Sequence, residues 1–198
     1  MKSQTFIFYG IVGSGKGTQV NLLRKYLEDN NISNDIIFIS TGEEFRSILS
    51  GQSFTADLIK NSINTGKLIP DFLTTSLVVS KIRENIKEDS IIITDGYPRT
   101  VEQSKSFDEV MNFYNRHDVK IIYLELSKEE AIKRMKLRGR ADDTDEGIAN
   151  RFDEYKMNVI PSMEYFRDKE GYTIFTIDGS KTIEEVHEEI ISKIKTYL

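Results

Sequence analysis

Cysteine is absent from all 198 residues. That excludes disulfides and every thiolate-ligated zinc site, and it fits a reducing compartment. Histidine is scarce: His117 and His187 stand far apart among polar residues and read as solvated surface groups rather than a metal pair. Long apolar runs are missing too, none approaching the roughly 18 residues that cross a bilayer. Met1-Lys2-Ser3-Gln4 leads into a strand without the apolar core of a signal peptide, so a cytoplasmic location is expected. Positive charge is in the minority, 27 Lys and Arg against 32 Asp and Glu, for a net charge of −5. Neither nucleic acid nor an anionic membrane is therefore expected as the main partner. No internal repeat, low-complexity tract or linker interrupts the chain. What remains is an ordinary soluble composition, 38% hydrophobic, at a length that buries about 70% of the unfolded surface around a single core.

The stretch that organises the rest is Gly10-Ile11-Val12-Gly13-Ser14-Gly15-Lys16-Gly17-Thr18. An apolar run, Phe6 to Tyr9, precedes it and reads as a buried strand. Gln19 to Glu28 follows, with Val20, Leu23 and Leu27 at helical spacing. Strand, glycine loop and helix form the context a phosphate-binding loop requires. Glycines let backbone N–H groups turn towards phosphate oxygens, the helix N-terminus adds positive potential, and Lys16 supplies a mobile full charge.

Further strands are expected at Ile36–Ile39, Ser90–Asp95, Lys120–Leu126 and Tyr172–Ile177. Ile91-Ile92-Ile93 is apolar without alternation, as in a strand covered on both faces. Between the strands, Ser53 to Gly66 reads as a helix with Leu58, Ile59 and Ile63 on one face and Gly66 as its stop. Asp71 is placed to cap the next helix, which carries Leu73, Leu77, Val78 and Ile82. Thr100 to Tyr114, Ser127 to Met135 and a segment carrying Ile148, Arg151, Phe152 and Tyr155 read as helices. Thr182-Ile183-Glu184-Glu185 caps the last one, with Val186, Ile190, Ile191 and Ile194 inward. Alternating strands and helices predict a parallel sheet with helices on both faces, a three-layer α/β/α fold. Ligands then bind at the carboxyl ends of the strands, where the polar clusters fall.

Asp95-Gly96-Tyr97-Pro98-Arg99-Thr100, taken with Gly13 to Gln19, resembles the nucleoside monophosphate kinases, and within them the adenylate kinases, over about Thr5 to Ile194. The resemblance implies a P-loop NTPase-type fold with a five-stranded parallel sheet. It implies one nucleoside monophosphate kinase domain over 1–198, with a small monophosphate-binding insertion at 40–70 and a minimal lid at 138–144. The implied reaction moves the γ-phosphoryl of MgATP to AMP, giving two ADP, in a monomer. Gly13, Ser14, Gly15, Lys16, Gly17 and Thr18 would cradle the ATP phosphates. Thr41 and Arg46 match an adenine-side threonine and an AMP-phosphate arginine. Gly66-Lys67-Leu68-Ile69 would wrap AMP, and Gly96, Tyr97, Pro98 and Arg99 would meet its base and phosphate. Gln103 would hydrogen-bond adenine. Arg134 and Arg138 would cover ATP, Arg140 and Arg151 would close over both phosphate chains, and the turn at Lys181 would lie against the ATP base.

The chemistry is consistent with this. Phosphoryl transfer needs position and positive charge rather than a nucleophilic side chain. Arginine suits it, because its planar fork grips phosphate twice and stays charged. Asp95, at a strand end facing the loop, is the carboxylate to hold Mg²⁺ through water. Plainer roles stand beside these. Arg134 and Arg138 fit a solvated face with i,i+4 pairs. Gln103 has capping-box spacing from Thr100. Asp142-Asp143 fits a helix start, a role that coexists with the hinge and arginine partners the resemblance implies there; Lys67 fits a solvated lysine, and Phe45 a place in the core.

Some positions depart from what is usual. Gly17 stands where many phosphate loops place the Ser or Thr that binds Mg²⁺, a glycine the resembled family shares. Ile11-Val12 replaces a small residue and proline, removing a fixed φ angle. Arg138-Gly139-Arg140 spans in three residues what many of the resembled proteins fill with a longer lid, so ATP hydrolysis without AMP is expected. A UMP/CMP kinase is the nearest alternative, which Thr41 and Gln103 disfavour. A non-catalytic nucleotide switch is a second alternative, disfavoured by the absence of an Asn-Lys-x-Asp motif and by the second phosphate site of Arg46 and Arg99.

Overall fold

A computed structural model describes residues 3–33, 35–49, 51–140 and 143–198. Five parallel strands form one sheet: β1 (Thr5–Gly10), β2 (Ile36–Ser40), β3 (Ile91–Asp95), β4 (Val119–Glu125) and β5 (Tyr172–Asp178), in the order β2-β3-β1-β4-β5. Both faces are covered, which is why the strands are apolar at successive residues. Ile7, Tyr9, Ile92 and Ile121 point to one side, where α4 (Asp71–Asn85) brings Val78 and Ile82 and α5 (Val101–Phe113) brings Phe107 and Met111. Phe6, Phe8, Ile93, Ile122 and Ile177 point to the other. There α1 (Lys16–Asp29) contributes Val20, Leu23 and Leu27, and α9 (Ile183–Ile194) contributes Val186, Ile190 and Ile194.

A third, smaller core supports the remaining helices. Ile11 of the glycine loop packs with Ala131 and Met135 of α6 (Lys128–Arg138) and with Ile148 and Phe152 of α7 (Asp145–Glu154). The helices that carry Arg138 and Arg151 are thereby seated on the loop that follows β1. From α7 the chain continues through a π-helical turn, Tyr155–Val159, into α8 (Ile160–Glu164).

Several local expectations change. The polar segment after β2 is itself a helix, α2 (Thr41–Ile48), started by Ser40, whose hydroxyl accepts from the Glu43 N–H. In α3 (Phe54–Thr65) the buried residues are Ala56 and Ile59, whereas Leu58 is 54% exposed. Asp71 does not cap α4. It is the first helical residue, after Pro70, and its carboxylate is engaged elsewhere. Ser127 caps α6, but Glu130 turns to Arg134 instead of back to Ser127. Thr182 and Glu185 form the full reciprocal box. His187 is half-buried beside the Tyr26 ring, and burial lowers its pKa.

Candidate active site

The order of strands makes β1 and β3 neighbours, with Phe8 opposite Asp95, so the loops leaving their carboxyl ends face one another. Between the elements lies a cleft of 610 Å³. Its floor is the glycine loop. Gly13 adopts φ 88, and a Cβ there would stand 2.8 Å from the Ala131 carbonyl, so a side chain is excluded by conformation and by the approach of α6. No side chain caps α1. The N–H groups of its first turn are left for a ligand, an arrangement that suits an anion. Lys16 curls back, its Nζ donating to the carbonyls of Gly10 at 2.7 Å and Ile11 at 3.0 Å. Burial lowers its pKa to about 8, against the attraction of Asp95 and with the help of Arg99 and Arg138.

The loop after β3 gathers the second group of cations. Gly96 has φ 80, and a Cβ there would meet Arg99 Nη2 at 2.5 Å and Thr41 Oγ1 at 2.9 Å. Glycine therefore lets both side chains reach the same carbonyl: Thr41 Oγ1 and Arg99 Nε each donate to Gly96 O at 2.8 Å. Burial lowers the pKa of Arg99, Asp95 opposes this, and the nearby charges of Arg151 and Arg46 add to the lowering. Tyr97 lies below this loop. Its hydroxyl donates to Thr75 Oγ1 and Gln103 O, and its ring packs edge-on against Phe107.

On the opposite wall, Asp143 binds two arginines with a side chain only 2% exposed. Arg138 Nη2 donates to Oδ1 at 2.8 Å and Arg138 Nε to Oδ2 at 3.1 Å, while Arg151 Nη1 donates to Oδ1 at 2.7 Å. Burial raises the Asp143 pKa, but the two guanidinium groups outweigh it and hold the carboxyl below its ordinary value. Arg134 donates from Nε to Glu130 Oε1 and from Nη1 to the Gly179 carbonyl at 2.9 Å, so α6 is tied to the turn after β5. Asn150 Nδ2 donates to Thr65 O at 2.8 Å, bracing α7 on the end of α3.

Most of the residues singled out in the sequence share this one cleft. Gly13, Gly15, Lys16, Gly17 and Thr18 line it with Asp95, as do Thr41, Arg46, Gly96, Pro98, Arg99 and Gln103. Lys67, Leu68 and Ile69 enter from the α3–α4 connection, and Arg134, Arg138, Arg140 and Arg151 from the far wall. Three do not line it. Ser14 is 3% exposed, its N–H donates to the Ile11 carbonyl and its hydroxyl turns inward. Tyr97 is 1% exposed and supports Gln103 from beneath. Lys181 reaches Glu189 at 2.8 Å, drawn outward by an accessible carboxylate. Asp142 lies outside the described residues.

Other residues of the cleft carry weaker sequence signals. Glu154 and Tyr155 line it. They stand three and four residues after Arg151, so helical spacing alone puts them on its face. Glu154 raises the Arg99 pKa by its charge, and the Tyr155 and Tyr123 hydroxyls meet at 2.9 Å. Asp71, which stands behind Gln103, carries a sequence signal only for a helix cap, because its partners Thr100 and Gln103 are roughly thirty residues away along the chain.

Comparison with known proteins agrees with this geometry. The family model described as adenylate kinase matches residues 8–171. An adenylate kinase of Prochlorococcus marinus (strain MIT 9301) is 35% identical over 189 residues, covering 95% of this chain and 97% of that protein. One from Oenococcus oeni is 32% identical, covering 95% of this chain and 96% of its own. One from Mycolicibacterium paratuberculosis is 34% identical over 180 residues, covering 91% of this chain and 93% of its own. With a phosphate loop and a second arginine cluster on one cleft of a five-stranded parallel sheet, the chain belongs to the adenylate kinase family.

Proposed function

We propose that this enzyme transfers the γ-phosphoryl group of MgATP reversibly to AMP, giving two ADP. The observation that carries the reading is the pair of cationic sites on one cleft. Lys16 and the uncapped start of α1 form one, Arg46 and Arg99 form the other, and Arg138 and Arg151 are held together on the facing wall by Asp143.

In this reading Gly13, Gly15, Gly17 and Thr18 surround the ATP phosphates with backbone N–H groups, and Lys16 releases its carbonyl partners to follow the moving charge. Arg46 and Arg99 hold the AMP phosphate in line, with Gly96, Pro98 and the 66–69 segment beside the nucleoside. An oxygen of that phosphate attacks the γ-phosphorus while the bond to the β–γ bridging oxygen breaks, and the electron pair leaves with ADP. No side chain becomes covalently attached. Arg134, Arg138, Arg140 and Arg151 spread positive charge over the equatorial oxygens.

Mg²⁺ fits the residues present. Among the described residues no cluster of three or more His, Cys, Asp or Glu could hold a metal. Asp95 offers one carboxylate beside Gly17, whose Cβ would stand 3.8 Å from Oδ2. One carboxylate, nucleotide phosphates and water make an ordinary Mg²⁺ environment. Bound there through water to Asp95, the ion would neutralise phosphate charge.

The segment 40–70, with α2 and α3, serves as the monophosphate-binding insertion, and 138–144 as a minimal lid. No described helix is long and apolar enough to cross a membrane, and a cytoplasmic monomer is part of the proposal. AMP is the acceptor in this reading, and the Gln103 amide keeps one N–H and one lone pair for its base beyond its protein partners. The test is a coupled assay with ATP and each of AMP, CMP, UMP and GMP. AMP should give the highest kcat/KM, and a preference for CMP or UMP would overturn the acceptor assignment. An analogue joining two adenosines through five phosphates should raise Tm by linkage.

A further inference from the structure

Gln103 is 2% exposed, and its side-chain amide is held from both ends. The Arg99 backbone N–H donates to Oε1 at 2.8 Å, and Nε2 donates to Asp71 Oδ1 at 2.8 Å. The other Asp71 oxygen accepts from Thr100 Oγ1 at 2.9 Å, and Thr100 Oγ1 in turn accepts from the Gln103 backbone N–H at 3.2 Å. A backbone N–H only donates and an aspartate carboxylate only accepts. Rotating the amide by half a turn would set N–H against N–H at Arg99 and oxygen against oxygen at Asp71. The ring of partners therefore permits one orientation of an amide that, left alone, presents its two ends interchangeably.

We propose that Asp71 is a positioning residue that sets base specificity, fixing through Gln103 the order in which a donor and an acceptor meet the purine of the monophosphate. The proposal rests on the reading that Gln103 contacts that base. Adenine shows an N6 donor beside the N1 acceptor. A 6-oxopurine shows the inverse, an O6 acceptor beside an N1–H donor. An amide fixed in one orientation complements only one of these pairs, while an amide free to flip complements both. Asp71 touches no substrate itself, and selection between AMP and IMP, which differ at C6 and in the proton on N1, is the property it controls.

The unsubstituted enzyme gives the first test. Purine riboside monophosphate keeps the N1 acceptor and has no 6-substituent, so it should be used better than IMP, which meets the fixed amide with like groups at both atoms. IMP outperforming this analogue would overturn the fixed orientation. In the second test Asp71→Asn, nearly isosteric, replaces a pure acceptor by a group that accepts or donates. The AMP-to-IMP ratio of kcat/KM should fall by about tenfold or more, with KM for IMP decreasing. Equal losses for AMP and IMP, leaving the ratio at its parent value, would mean a merely structural role and overturn the proposal. Gln103→Ala separates the two readings. If it lowers the ratio and Asp71→Asn does not, Asp71 is dismissed and the Gln103 contact stands. If Gln103→Ala leaves the ratio unchanged, the base contact itself is wrong.

Discussion

Arg151 Nη1 lies 2.7 Å from Asp143 Oδ1, so the arginine that reaches into the cleft from α7 is anchored two residues before that helix begins. The same carboxylate holds Arg138 from the end of α6. One acidic side chain thus sets the spacing of two guanidinium groups that would otherwise repel.

Asp143→Ala should remove the carboxylate that the two arginines share while leaving both charged. We predict that kcat falls about 10- to 100-fold, because small displacements of charged groups are costly in phosphoryl transfer. The loss of charge-assisted bonds should cost about 2 kcal/mol, or roughly 4–8 °C in Tm for a chain of this size. In the parent, the carboxyl is held below its ordinary value in the fold. Its contribution is therefore complete above the usual carboxylate range and disappears as pH falls through the lowered pKa. Turnover and thermal melts of the variant, with melts of the parent across acid pH, check both parts. An unchanged kcat would remove Asp143 from the site's organisation.

Lys16 makes a prediction in alkaline solution. Its folded pKa is lowered to about 8 from 10.5. In the free enzyme the ammonium is lost as pH rises through about 8, so kcat/KM for ATP should decline there. In the ATP complex phosphate charge restores the proton, and kcat should hold to higher pH. The unfolded chain keeps this proton to about 10.5, so it binds more protons than the native state between the two values, and Lys16's contribution to stability rises with pH across that interval. A kcat/KM profile flat through the lower value would contradict the lowered pKa.

Lys16→Met tests the same charge by removal. Burying an ammonium opposes folding, so Tm should hold or rise, while kcat falls about 100- to 1,000-fold. Equal circular dichroism with undiminished turnover would show that the lysine has no catalytic part.

Arg99→Ala should separate the two nucleotide sites. KM for AMP should rise about tenfold or more, since the proposed guanidinium–phosphate contact is lost, while ATP affinity, measured alone by calorimetry, stays near the parent value. A comparable loss of ATP affinity would place Arg99 in the other site.

ATP without AMP provides the last check. The connection between α6 and α7 is short, Arg138 being the last residue of one helix and Asp145 the first of the next. In its proposed role as lid, a segment this short should admit water, and we predict measurable phosphate release from ATP alone. An undetectable rate beside rapid transfer to AMP would refute it.

The sequence by itself determined the layered fold and most of the cleft. Strands with apolar residues in succession, as at residues 6–9 and 91–93, demand cover on both faces, and a parallel sheet places all following loops at one end. Gly10 to Thr18, Gly96, Arg99 and the arginines from 134 to 151 were therefore legible as one neighbourhood. Tertiary structure decided what adjacent positions do with their side chains. Tyr97 and Lys181 sit inside or beside motifs, yet Thr75 and Gln103 hold the first side chain and Glu189 the second away from the cleft, while the Ser14 hydroxyl is buried under the loop. Asp71 followed the opposite course. Local spacing marks it as a helix cap, and only the approach of α5 to α4 puts Thr100 and Gln103 within reach of its carboxylate. Spacing along a chain fixes which face a residue occupies, whereas the partner of a polar group depends on which donors and acceptors packing leaves nearby.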